Sequence, residues 1–150
     1  MRDRMKNFGV SALVLGWLVC VTGCSTFNRD WQVAATQPTP TDSLAGRWEG
    51  KWVSAHNGHS GRLRAIIRPT TNGQYEVNYH ANYGLIFSFG MPMHLAPQPA
   101  PGGWTFSGTE NLGGIYGNYS YDGKASPTNF FSTYKARLDH GTFQMTRPQP

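Results

Sequence analysis

Carboxylates, cysteines and long apolar runs are all scarce in this chain, and each scarcity removes a class of function. Beyond Leu44 the acids are Glu49, Glu76, Glu110, Asp122 and Asp139, too few and too scattered for the paired acid and base of a hydrolase. No Gly-x-Ser-x-Gly elbow occurs, so nucleophilic catalysis has no visible starting point. The longest apolar stretch, Phe8 to Val21, falls short of the ~20 residues a membrane-spanning helix needs. His56, His59, His80, His94 and His140 are dispersed, and the only cysteines are Cys20 and Cys24. A zinc site needs three or four converging ligands, so no metal and no cofactor are expected. The chain is read as non-enzymatic.

What is present begins with an address. Arg2, Arg4 and Lys6 stand before the apolar run with a single acid, Asp3, and the run ends at Val21-Thr22-Gly23-Cys24. A basic start and a short apolar core are the layout of a secretory signal. An uncleaved membrane helix ending near Cys24 is the alternative, and no basic stop-transfer cluster follows to support it. The segment resembles the signal peptide and processing site of bacterial lipoproteins. That resemblance implies cleavage before Cys24, a diacylglyceryl thioether on its sulfur and an acylated amine, in a cell envelope. Cys20 is the poorer candidate because Val19 precedes it. Ser25, where an aspartate would imply inner-membrane retention, implies the outer membrane facing the periplasm in a two-membrane host.

Processing at Cys24 leaves 127 residues and one cysteine, consumed by lipid. No disulfide is then available, so a hydrophobic core must hold the fold. Arg2, Arg4, Lys6 and Asp3 leave with the signal, so 10 Lys and Arg face 7 Asp and Glu. A net charge of +3 argues against nucleic acid.

Residues 24–43 read as the lipidated cysteine and a flexible tether. Pro38 and Pro40 favour extended chain, and the composition is too polar to fold alone. Phe27 and Trp31 are the exceptions, placed either in the membrane interface or on the folded domain.

Residues 44–150 read as one all-β domain, since glycine, proline and asparagine punctuate short alternating runs. Eight strands are expected: Arg47–Ser54, Arg62–Arg68, Gln74–Tyr83, Leu85–Leu95, Trp104–Glu110, Ile115–Asp122, Asn129–Leu138 and Thr142–Arg147. The third alternates most cleanly, with Tyr75, Val77, Tyr79, Ala81 and Tyr83 on one face. Pro92 and Gly90 place the fourth at an edge, a bulge or a bend. Ala96–Gly103 reads as a loop, and Asn57-Gly58 and Asp122-Gly123 as tight turns. Eight sequential strands fit an antiparallel up-and-down barrel, with a two-sheet sandwich as the competitor.

Gly46-Arg47-Trp48 at the start of the first strand resembles the G-x-W signature of lipocalins and related calycin barrels. The resemblance implies that Trp48 closes the base of the barrel beneath an arginine from the last strand, the place of Arg147, with any ligand at the opposite mouth. Tyr75, Tyr79, Tyr83, Tyr119, Tyr121 and Tyr134 form the second candidate set, lining an interior suited to an amphipathic molecule or simply filling it. The outward Arg62, Arg64 and Arg68 are either a solvated face or a contact for anionic headgroups. The expected function is therefore an anchored, non-catalytic envelope protein that binds a small apolar or amphipathic ligand. The alternative is a protein-interaction or inhibitor module of the envelope.

Overall fold

The computed structural model describes residues 26–84, 87–114 and 117–149. The signal segment 1–23 and Cys24 lie outside the described residues. The chain is all-β: β1 (Gly46–Ser54), β2 (Ser60–Pro69), β3 (Tyr75–Tyr83), β4 (Phe87–Leu95), β5 (Gln98–Ala100), β6 (Gly103–Asn111), β7 (Asn118–Ala125), β8 (Asn129–Lys135) and β9 (His140–Thr146). They form one antiparallel sheet, ordered β4-β3-β2-β1-β9-β8-β7-β6-β5 and curled into a half-barrel. A single sheet sets the sandwich aside.

The order is an up-and-down meander in which the first strand pairs with the last. β1 and β9 run together from Glu49↔Thr146 to Ser54↔Gly141. The edges of the sheet are consequently in mid-chain, at β4 and β5. Pro92 fits there because an edge strand has one side free of ladder bonds.

Alternation sets the inside. Trp48 and Trp52, Leu63, Ala65 and Ile67, Val77, Tyr79 and Ala81, Phe106, Tyr119, Phe130 and Tyr134, Phe143 and Met145 form one buried cluster. Large side chains are accommodated opposite glycines: Trp52 pairs with Gly61, Phe106 with Gly123, and Tyr121 with Gly108. A Cβ on Gly123 would stand 2.7 Å from the Phe106 ring, so this glycine is a packing requirement.

Four expectations need correction. A ninth strand, Gln98–Ala100, lies inside the expected loop Ala96–Gly103, because Gly102 and Gly103, both at positive φ, turn the chain back onto β6. Asp122-Gly123 is not a turn; Gly123 lies inside β7 opposite Phe106, and the hairpin closes beyond Ala125 with Ser126 N–H on the Asn129 carbonyl. The eighth strand ends at Lys135, leaving Leu138 outside it and exposed.

The flexible tether is the largest correction. Residues 26–35 are helical, with Phe27 and Trp31 buried against Ile66 of β2 and Ala34 packed alongside. Positions 27, 31 and 34 recur at helical spacing and share one face. Ten residues alone form a marginal helix, so docking stabilises it, at about 1.5–3 kcal/mol per large apolar side chain buried.

Candidate functional site

The G-x-W end of the barrel is built as a lid on the core. Gly46 adopts φ 107°, and a Cβ there would stand 3.1 Å from Arg147 Nη1, so glycine is needed both for the backbone and for the arginine. Trp48 is fully buried and donates from Nε1 to the Leu44 carbonyl at 2.8 Å. The Arg147 guanidinium lies 3.9 Å from the Trp48 ring centroid. It donates to the carbonyls of Ala45 (2.7 Å), Ser43 (2.9 Å) and Pro127 (3.1 Å). Burial pulls Arg147 down to about 10, which leaves it charged at neutral pH and suited to stacking on indole. The three positions singled out in the sequence thus meet in space.

The six tyrosines do not form one set. Tyr79, Tyr119 and Tyr134 are buried in the interior, in a ring column with Phe143: 5.2 Å from Tyr79 to Phe143, 4.8 Å on to Tyr134 and 6.1 Å on to Tyr119. Phe106, Phe130 and Trp48 continue the filling towards the lid. Tyr75 is half-buried and shares a 3.1 Å hydrogen bond with Ser43. Tyr121 donates to the His94 carbonyl at 2.6 Å. Tyr83 is 39% exposed at the other end of the barrel, stacked on Trp52 and hydrogen-bonded to His59. Burial pushes the phenols of Tyr79, Tyr119 and Tyr134 well above the ordinary range; at Tyr134 the hydrogen bond to Asp139 adds to it. These rings occupy the space an interior ligand would need.

At the end opposite the lid, Asp139 gathers three donors: Ser54 Oγ at 2.5 Å, Tyr134 OH at 2.8 Å and its neighbour His140 N–H at 2.8 Å. A carboxylate so saturated ties β1 to the β8–β9 turn. His56 and His140 approach to 6.2 Å between ring centroids. Among the described residues no group of three or more His, Cys, Asp or Glu is placed to hold a metal ion.

An open groove lies on the outer face instead. A groove of about 790 Å³ crosses β1, β9, β8, β7 and β6 beneath the β5–β6 turn at Pro101 and Gly102. Register explains its lining: Lys51 pairs with Gln144, Gln144 with Phe131, Phe131 with Lys124, and Lys124 with Thr105. One row of outward side chains therefore runs across five strands, with Phe131 37% exposed near its centre. Strand spacing puts Lys51 and Lys124 about 14 Å apart at the backbone. Neither lysine forms an ion pair among the described residues, whereas Glu49 is engaged by Arg62 at 3.0 Å. The sequence reading passed over this row. Its signal was Phe131, an aromatic residue at an outward position beside the inward Phe130.

Arg64 and Arg68 do not form a free basic face, because the helix covers part of it. Arg64 stacks on Phe27 (5.0 Å) and Trp31 (5.2 Å) and donates to Asn28; Arg47 also lies over Trp31, and Arg68 meets Asp30 at 3.5 Å. Arg62 remains 60% exposed. No family model, no curated protein and no solved structure matches the chain.

Proposed function

We propose that the chain is a lipid-anchored, non-catalytic binding protein of the cell envelope, placed at the outer membrane and facing the periplasm. Its half-barrel is lipocalin-like in the pairing of a buried G-x-W tryptophan with a capping arginine. It holds a small amphipathic molecule, and the outer groove is a better place for that molecule than the aromatic interior. The observation that carries this reading is the row Lys51, Gln144, Phe131 and Lys124 along a groove of about 790 Å³. Phe131 offers an apolar surface, and the unpaired lysines favour an anionic head on the ligand. Location rests on the sequence alone, through the segment ending at Cys24.

The test is a thermal-shift panel on the full chain in detergent, comparing long-chain carboxylates with their methyl esters. Carboxylates are expected to raise the melting temperature more than the esters, and Phe131→Ala and Lys124→Glu are expected to abolish the gain. An equal shift in both variants would remove the groove from the reading. Mass spectrometry of membrane-extracted protein reports on the anchor separately, since acylation at Cys24 adds the mass of the lipid.

A second reading, a protein-interaction module, is favoured by the filled interior, which leaves binding to surfaces and loops. A partner crosslinked through the β5–β6 turn at Pro101 and Gly102 or the β1–β2 turn at residues 55–59, and lost on replacing that turn, would support it.

A further inference from the structure

Beneath the N-terminal helix sits a side chain that the fold leaves without a polar partner. His80 of β3 is 8% exposed, and among the described residues neither Nδ1 nor Nε2 has a hydrogen-bond partner. A neutral imidazole carries one donor and one acceptor, and burying either unpaired is unfavourable. His80 alternates with inward Tyr79 and Ala81, so it stands on the outer face, where Phe27 of the helix stacks on it at 4.6 Å with the planes 22° apart. The helix is thus the cover that denies this imidazole water.

The surroundings resist a positive charge there. Arg64 is its direct neighbour on β2, and Arg62 lies on the same face of that strand. On the helix, Asp30 is drawn off to Arg29 and Arg68, and Glu49 of β1 is held by Arg62. On β4 the residue opposite His80 is Gly90, and His94 of that strand is directed to Glu110. Among the described residues, therefore, no carboxylate faces the ring.

We propose that residues 26–35 form a strap latched by neutral His80, which acid releases from the outer face of β2 and β3. The sign follows from where the proton is welcome. Burial first, and then Arg64, push the docked imidazole below its ordinary value, against a smaller opposing pull from its own backbone that does not reach hydrogen-bond geometry, while undocking returns it to water. Docking is thus unimpaired above the ordinary value of about 6.5 and weakens steadily as pH falls below it. Release frees Phe27 and Trp31 and lengthens the link between the N-terminal segment and the half-barrel. The inference is independent of the lipid anchor and of the outer groove.

The experiment is hydrogen exchange on the full chain in detergent at pH 7.5 and pH 5.0, corrected for intrinsic exchange rates. Helix amides are expected to lose up to about 30-fold in protection relative to β1 and β9, the limit set by one proton taken up only in the open state. His80→Phe, which keeps a flat ring beneath Phe27, is expected to hold protection constant between the two conditions. His80→Gln, neutral and smaller, should do the same from a lower starting level if the phenylalanine variant does not fold. Equal helix protection at both pH values in the wild-type chain overturns the proposal. So does a drop that persists in either variant, because another group would then be responsible.

Discussion

The half-barrel has two seams, and they are made differently. At the β1–β9 seam the strands share a continuous ladder from Glu49 to Ser54, and Arg147 beyond the end of β9 clamps three carbonyls and the Trp48 ring. At the other seam, β4 and β6 share no ladder. The gap is spanned by Glu110, which accepts from the His94 N–H at 2.9 Å, and by Tyr121, which donates to the His94 carbonyl. Backbone pairing makes the first seam cooperative with the whole sheet, while a few exposed side-chain bonds contribute about 1 kcal/mol each. The first and last strands are therefore locked together, and the place where the barrel yields is in mid-chain.

The sharpest way to break this comparison is to hollow out the locked seam. Trp48→Ala is expected to cost about 3–5 kcal/mol in urea unfolding, since it removes a fully buried indole and the surface on which Arg147 rests. Arg147→Ala should cost less, about 2–3 kcal/mol, by unpairing the charge-assisted bonds to Ser43 and Ala45. Arg147→Lys should recover only part of this, because one ammonium lacks the planar fork. Tyr134→Phe comes next, about 1–2 kcal/mol, by leaving Asp139 one donor short. The same phenols give a pH test. Tyr79, Tyr119 and Tyr134 are held above the ordinary tyrosine value by burial, so their contribution is intact below about pH 10 and lost as pH rises beyond it. Absorbance at alkaline pH should show them ionising only as the chain unfolds.

The smallest effect is expected at the side-chain seam. Glu110→Gln and Tyr121→Phe should each cost under about 1 kcal/mol, yet speed hydrogen exchange in β4 while leaving β1 and β9 unchanged. A cost at Glu110 equal to that at Trp48 would show that the two seams are energetically alike.

Much of the fold is legible in the chain because a strand's side-chain period is two and one face is buried. Each of the eight expected segments overlaps a single strand, and the missing N–H of Pro92 limited the fourth to an edge, a bulge or a bend, of which the structure has the edge. The Asp122-Gly123 misreading shows the limit. That dipeptide is a turn signal in isolation, but across the sheet Gly123 is the space that Phe106 fills, and packing outweighs local turn preference. The tether misreading has the same cause in reverse. Polar composition suggested extended chain, whereas Phe27, Trp31 and Ala34 form a helical stripe only when Ile66, Arg64 and Arg47 supply its other half.

The candidate sites divide along the same line. Gly46, Trp48 and Arg147 were named through the resemblance of Gly46-Arg47-Trp48 to the lipocalin signature, and the structure brings the three together. Tyr75, Tyr79, Tyr83, Tyr119, Tyr121 and Tyr134 were grouped by shared chemistry, and the structure distributes them among a column in the core, the side-chain seam, the exposed end and, for Tyr75, the lid end beside Ser43. The row through Lys51, Gln144, Phe131 and Lys124 was beyond sequence reading, because it exists only by register across four strands.

By itself the sequence determined an all-β chain and the inward face of nearly every strand, since alternation is a local property. Tertiary structure alone decided that the sheet opens between β4 and β5, that the interior tyrosines are filling, and that residues 26–35 form a helix lying on a histidine with no hydrogen-bond partner among the described residues. Each of those depends on residues distant in sequence excluding water from one another, and no window along the chain contains that information.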